Sequence, residues 1–247
     1  MEIRPGVELV PGLPVVFLRG TGTLVLADLH LGFEDDMASK GVYLPRVQYE
    51  KAVKLLGDAL KKTGARRVVI AGDVKHVFSR LTWQERTEVG GLFSFLKERV
   101  EEIVVVRGNH DNYLAAVAEA YGVEIVPSLR LGDVLIVHGH VEAEMGEGDL
   151  VIMGHEHPSI ALRDSIGVVA RFPCFLHMPL RNGAEALVLP AAGAYQSGNP
   201  VGLDSSNYLS PIVRSLGMVE RARPIIVDEE VGLYEFPKLG LLGDMLA

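Results

Sequence analysis

Along the first half of the chain, short unbroken apolar runs alternate with longer stretches whose apolar positions recur at helical spacing. Thr23–Ala27, Arg67–Ala71 and Ile103–Arg107 are the runs. Their continuity, without alternation, predicts strands covered on both faces. Between the first two, Tyr49, Ala52, Val53, Leu56, Ala59, Leu60 and Thr63 keep a stripe of 3.6-residue period. Pro45 suits the first position of that helix and Gly64 closes it. Thr82 and Glu85 form a capping box. It opens a helix reaching about Arg99, with Val89, Leu92, Phe93, Leu96 and Val100 inward and Trp83 as a core or helix-entry anchor. Asn112–Tyr121 reads as a third helix. This alternation implies parallel strands joined by right-handed crossovers. Upstream, Glu8–Val10 and Val15–Leu18 read as antiparallel edge strands. Gly32–Leu44 shows no clear period and is expected to loop over whatever lies at the strand ends.

After Gly122 the pattern changes. Val123–Val126, Leu129–Leu131 and Val134–Val137 leave no room for helices between them. Leu150–Met153, Ile160–Arg163, Val168–Phe172 and Ala186–Leu189 continue the strand-rich half. Ala191–Pro211, rich in Gly, Ser, Asn and Pro, reads as a long surface loop. Ile225–Val227 and Gly232–Phe236 add final strands. The expectation is two packed sheets with helices flanking at least one.

Composition narrows the function classes. The chain has 247 residues, 48% of them hydrophobic, with no internal repeat and no evident linker, so residues 1–247 are expected to form a single domain. The formal net charge of -8 argues against a surface that coats DNA non-specifically. It leaves open a nucleic-acid site built on metal. Cys174 is the sole cysteine, which excludes an internal disulfide and a cysteine zinc finger. Absence of a signal-like start and of any apolar run near ~20 residues predicts a cytoplasmic protein with no membrane partner. The apolar strands and modest charge permit a homodimer.

Five polar clusters carry the chemistry: Asp28-x-His30, Gly72-Asp73, Gly108-Asn109-His110-Asp111, His138-Gly139-His140 and Gly154-His155-Glu156-His157. Asp28, Asp73, Asn109, His138 and His155 each follow an apolar strand by a few residues, where open α/β sheets place their ligands. Six of the eight histidines lie in these clusters, and His76 and His177 lie outside. Singly, each cluster could be a polar turn or a helix cap. Together they form a carboxylate, amide and imidazole set without thiolate, which suits Mn²⁺, Fe, Zn²⁺ or Ni²⁺. In extended backbone, the x-spacing of Asp28-x-His30 and His155-x-His157 puts each pair on one side. A shared aspartate can bridge two cations, and paired cations ~3.5–4 Å apart are a standard device for hydrolysing phosphate esters. His76, Lys75 and His140 stand near these clusters as possible substrate contacts. His177 and Cys174 read as core residues.

The order Asp-x-His, Gly-Asp, Gly-Asn-His-Asp, His, Gly-His-x-His resembles the calcineurin-like metallophosphoesterases. The motifs run from Asp28 to His157. The resemblance implies an α/β class fold, a four-layer α/β/β/α sandwich with metals at the strand ends. It implies Asp28, His30 and His157 on a first metal, Asn109, His138 and His155 on a second, and Asp73 bridging. His110 would be the catalytic histidine near the scissile phosphate, with Asp111 orienting it. The implied reaction is attack on phosphorus by a metal-activated hydroxide, with Mn²⁺ the foremost candidate ion. A narrower similarity links Ala27-Asp28-Leu29-His30-Leu31-Gly32 and Lys40-Gly41-Val42-Tyr43-Leu44-Pro45 to the SbcD-related archaeal and DNA-ligase-associated phosphoesterases. It implies a phosphodiesterase or nuclease acting on nucleotides or nucleic acid, with DNA-repair proteins as possible partners. The competing readings are a phosphomonoesterase or protein phosphatase, and a non-catalytic scaffold that keeps the fold for docking.

Overall fold

The computed structural model describes residues 1–163, 169–243 and 246. One sheet has seven strands in chain order: β1 (Glu2–Arg4), β2 (Val7–Leu9), β3 (Val16–Leu18), β4 (Thr23–Leu26), β5 (Arg67–Ile70), β6 (Glu102–Val106) and β7 (Glu124–Val126). From β1 to β4 neighbours run antiparallel, and from β4 to β7 they run parallel. The helical crossovers force the parallel part, as the alternating pattern requires.

The second sheet holds β8 (Leu129–Leu131), β9 (Val134–Val137), β10 (Leu150–Met153), β11 (Pro158–Arg163), β12 (Val169–Pro179), β13 (Glu185–Val188), β14 (Asn199–Pro200), β15 (Arg223–Asp228) and β16 (Gly232–Glu235). It is mixed: β9, β10 and β13 are parallel, whereas β8, β12, β15 and β16 pair antiparallel with their neighbours. The five helices are α1 (Phe33–Ser39), α2 (Gln48–Thr63), α3 (Trp83–Lys97), α4 (Ala115–Ala118) and α5 (Pro211–Leu216).

Each central strand buries both faces, and the alternation of its side chains separates three apolar layers. Leu24, Leu26, Val68, Ile70, Ile103 and Val105 pack outward against Leu56 and Ala59 of α2 and Leu92 and Phe93 of α3. Val25, Val69, Val104, Ile136, Ile152, Phe175 and Leu187 meet between the sheets. Leu135, Val151, Met153, Leu176 and Val188 face Ile212 and Val213 of α5. Helix, sheet, sheet, helix is therefore the layer order, as the family resemblance implies.

Several details depart from the expectation. Gly32–Leu44 contains α1, whose buried residue is Glu34. That carboxylate accepts from the backbone N–H groups of Val47 and Gln48, at 3.1 and 2.9 Å. A polar group thus faces inward, and the helix shows no apolar stripe. α2 starts at Gln48, so Pro45 precedes its first turn. Gly64 does end α2, with φ of 64°. The capping box of α3 is present in full. Trp83, however, is 76% exposed. The box turns Glu85 inward, and Gln84 beside it is buried, so the first helical position is left facing water. The helix foreseen over Asn112–Tyr121 is confined to α4 and a 3-10 turn at Glu119–Tyr121. The expected strand Val168–Phe172 extends to Pro179 as β12, while Val168 itself lies outside the described residues.

Candidate metal centre

The candidate residues lie where strands of both sheets end. Asp28 and His30 follow β4, Asp73 follows β5, and Asn109 and His110 follow β6. From the other sheet, His138 follows β9, and His155 and His157 lie between β10 and β11. Among the described residues, six non-glycine residues have positive φ: Asp28, His30, Asp73, His155, His157 and Tyr113. Five of these six are candidate ligands. Each such conformation costs about 1 kcal/mol or more and persists only where the surroundings impose it. The extended x-spacing expected for Asp28/His30 and His155/His157 is therefore corrected: left-handed turns converge these side chains.

Backbone hydrogen bonds impose the turns. Asp28 N–H donates to Gly72 O at 3.0 Å, and His30 N–H donates to Asp73 O at 2.9 Å. His155 N–H donates to Asp28 Oδ2 at 3.0 Å, tying one sheet to the other. Asp111 accepts from Gly108 N–H, Asp73 N–H and Val74 N–H at 2.8, 2.9 and 2.8 Å. Its carboxylate holds the Asp73 loop and makes no hydrogen bond to the His110 ring. The role foreseen for Asp111, orienting His110, is thus corrected. Burial, then the charge of Asp73, pushes its carboxyl up to about 6. Gly108 is required by proximity: a Cβ there would lie 2.2 Å from Asp73 Oδ1. At Gly154 it would lie 2.6 Å from Asp28 Oδ2.

The ligand atoms form two adjoining groups. Asp28, His30 and His157 offer one set of donors within 4.8 Å of one another, and Asp73, His138 and His155 another. His30 Nε2 and His157 Nε2 are 3.3 Å apart. His157 Nε2 stands 3.3 Å from Asp28 Oδ1. In the second group, His138 Nε2 is 3.1 Å from Asn109 Oδ1 and 3.3 Å from Asp73 Oδ2. The same Asp73 oxygen is 3.8 Å from His30 Nε2 in the first group. Asp73 Oδ1 is occupied by His110 N–H at 2.8 Å, which leaves Oδ2 to face both sides.

Three observations fit divalent cations. Asp28 Oδ1 is buried without a hydrogen-bond partner, a cost that a cation would remove. His138 Nδ1–H donates to Ala71 O at 2.9 Å, which fixes the tautomer with Nε2 free to ligate. Burial drives His30 down to about 3 and His155 down to about 4, so both keep a neutral lone pair at pH 7. His138 behaves oppositely. Burial would lower it, but the hydrogen bond to Asp73 and the charges of Asp28 and Asp73 raise it to about 9.

The remaining candidates separate. His110 Nδ1–H donates to the carbonyl oxygen of His76, which turns Nε2 away from that carbonyl. The His76 ring lies nearly parallel to that of His110, with centroids 5.6 Å apart. Its Nδ1 is 3.3 Å from His30 Nδ1, and its Nε2 is 3.3 Å from Asp36 Oδ2. His76 thus sits within the histidine cluster. Lys75 does not reach it, and the expected substrate contact is corrected. Its side chain is fully buried, with Nζ donating to the carbonyls of Val77 and Arg80 and standing 3.8 Å from Glu85 Oε1. His140 has its ring 5.2 Å from that of His138 and lines a cleft of about 670 Å³ beside it. His177 is away from the site, 3.3 Å from Glu185.

Sequence reasoning missed Asp36 and Gln48. Gln48 Nε2 donates to His30 O at 2.7 Å. Neither residue carries a motif, because each acts through tertiary contact alone.

Two mixed sheets with flanking helices, closing on a carboxylate and imidazole cluster at their strand ends, define the metallophosphoesterase fold. A sequence model of the calcineurin-like phosphoesterases matches residues 22–145, about half of the chain, and the chain belongs to that family. Among solved structures it is similar to the Pseudomonas putida nuclease MPE, with TM-score 0.61 and 20% identity over 91% of this chain and 93% of that one. It is also similar to YfcE, a phosphoesterase from E. coli, with TM-score 0.47 and 15% identity over 87% of this chain and 98% of that one. Comparison with curated protein sequences gives no match. Among the described residues, no helix is long and apolar enough to cross a membrane.

Proposed function

We propose that this chain is a two-metal phosphodiesterase acting on nucleotides or nucleic acid, and that residues 1–247 work as one domain. The observation that carries the reading is Asp73 Oδ2, which faces His138 Nε2 at 3.3 Å and His30 Nε2 at 3.8 Å. An oxygen so placed suits a bridge between two cations. Asp28, His30 and His157 would hold one, and Asn109, His138 and His155 the other. Cations bound there would supply Lewis-acid activation of water and offset charge growing on the phosphate. The mixed oxygen and nitrogen donors suit Mn²⁺, Fe, Zn²⁺ or Ni²⁺, and Mn²⁺ is the ion the family resemblance puts first.

His110 supplies the proton chemistry. Donation from Nδ1 to the His76 carbonyl fixes the ring. Nε2 is then the atom that can give a proton to the leaving oxygen. The motif around Asp28 and the nuclease among the structural neighbours support the narrower SbcD-like reading, in which DNA-repair proteins would be partners.

The test is a substrate panel with added Mn²⁺: cyclic nucleotides, single-stranded and duplex DNA, RNA, and simple phosphate diesters and monoesters. Diesters should turn over faster than monoesters. His110→Ala should retain its metal while turnover falls about 10²–10⁴-fold. Preference for monoesters would replace the reading with a phosphomonoesterase or protein phosphatase. Metal-loaded protein inert on every ester would leave the docking scaffold.

A further inference from the structure

We propose that Phe78 and Tyr113 form a nucleobase-stacking subsite beside His110, where a base next to the scissile phosphate rests. The inference builds on the phosphodiesterase reading and specifies what its substrate must carry. Phe78 is 58% exposed, with its ring edge-on to His110 and the centroids 6.0 Å apart. Tyr113 is 61% exposed. It is also the one positive-φ non-glycine residue, among those described, that is not a candidate ligand. Backbone strain of this kind gathers at sites that hold a side chain for use.

One side chain links the Phe78 backbone to the candidate metal site and directly precedes Tyr113. Asn112 Nδ2 donates to Phe78 O at 3.2 Å and to Asn109 O at 3.3 Å. Its Oδ1 accepts from Arg107 Nη2 at 3.0 Å. Asn109 is a candidate ligand and Tyr113 is the next residue after Asn112. The backbone that carries each ring is therefore tied to the loop of the candidate ligand Asn109.

Charge favours a base as the occupant. With a formal net charge of -8, the chain has no general field to hold a polyanion. Affinity must come from local contacts, and stacking on aromatic faces serves any base. The neighbours Ser79, Arg80 and Arg107 are polar and exposed. An exposed aromatic ring beside such a polar, basic rim matches a base with its adjoining phosphate.

The test uses metal-loaded protein and two probes. One is a short oligonucleotide, intact or with an abasic residue beside the cut site. The other is a dinucleotide with an uncleavable methylenephosphonate link and 2-aminopurine as one base. Phe78→Ala should raise KM for the intact oligonucleotide about tenfold more than for the abasic one. The same variant, and Tyr113→Asn, which tolerates left-handed backbone, should lose the 2-aminopurine quenching seen with the unsubstituted protein. Metal content and circular dichroism would verify folding. Equal KM increases on intact and abasic substrates, or quenching unchanged in both variants, would overturn the subsite. Should the unsubstituted protein cut no diester, the phosphodiesterase reading fails while the quenching still decides the subsite.

Discussion

At the scale of single residues, the proton held by His138 sets how metal can load. In the metal-free protein that imidazole is raised to about 9. Burial opposes the shift, and the hydrogen bond to Asp73 with the charges of Asp28 and Asp73 outweighs it. A cation taking Nε2 must displace the proton. Apparent metal affinity should therefore fall about tenfold per pH unit as pH drops below about 9, with one proton released per loading. The metal-free fold has the opposite dependence. There the His138 contribution is full below 6.5 and is lost as pH rises through about 9. Calorimetric titration of Mn²⁺ in two buffers of different ionisation heat measures both affinity and proton release. A flat affinity between pH 6.5 and 9 would contradict the assignment.

Much of this scale was legible in the sequence, because the candidate ligand types and their order stand in its motifs. The backbone conformation was not. Asp28, His30, His155 and His157 are left-handed, a conformation uncommon outside glycine even though aspartate and histidine are enriched in it. Lys75 and Asp111 were misread for a related reason. Lys75 beside such a motif looks like a substrate contact, and Asp111 like a partner of the His110 ring, until burial reveals that they serve backbone groups.

At the scale of elements, the loop from Val74 to Leu81 depends on one buried pair. Glu85 serves as the capping-box residue of α3, accepts from Val77 N–H and stands 3.8 Å from Lys75 Nζ. Both side chains are fully buried. Glu85→Gln keeps the shape but leaves an ammonium without its counter-charge. It should cost about 3–5 kcal/mol in denaturant unfolding, and Lys75→Met on top of it should recover part of the loss. A change within ~0.5 kcal/mol would show the pair to be dispensable. Because His76 lies on this loop and its carbonyl holds His110, the double variant should also disturb turnover. The strands were readable as apolar runs and α2 and α3 by period and cap. α1 was hidden because its inward residue is Glu34, which serves backbone donors rather than a core.

At the scale of the molecule, the doubly buried strands carried as far as two packed sheets with helices on at least one, and the family resemblance supplied the four-layer order. Which strands pair across β12 was beyond pattern, since β11 takes Val169–Pro173 while β13 and β15 both pair with Leu176 and His177. The candidate ligands come from both sheets: Asp28, His30, Asp73 and Asn109 from one, and His138, His155 and His157 from the other. Bound cations would clasp the two together. Free Mn²⁺ at about 100 times its dissociation constant should stabilise the fold by about 2.7 kcal/mol per site, read as a rise in Tm that chelation reverses. No shift on chelation of fully loaded protein would argue against such a clasp.

The division of ligands between the sheets also bears on synthesis. A ribosome that has produced the seven-stranded sheet has made Asp28, Asp73 and Asn109 but not yet the imidazoles of His155 and His157. The nascent polypeptide is short of donors until the second sheet emerges and docks. On the proposed ligand set, turnover would begin only once His155 and His157 have been made and docked.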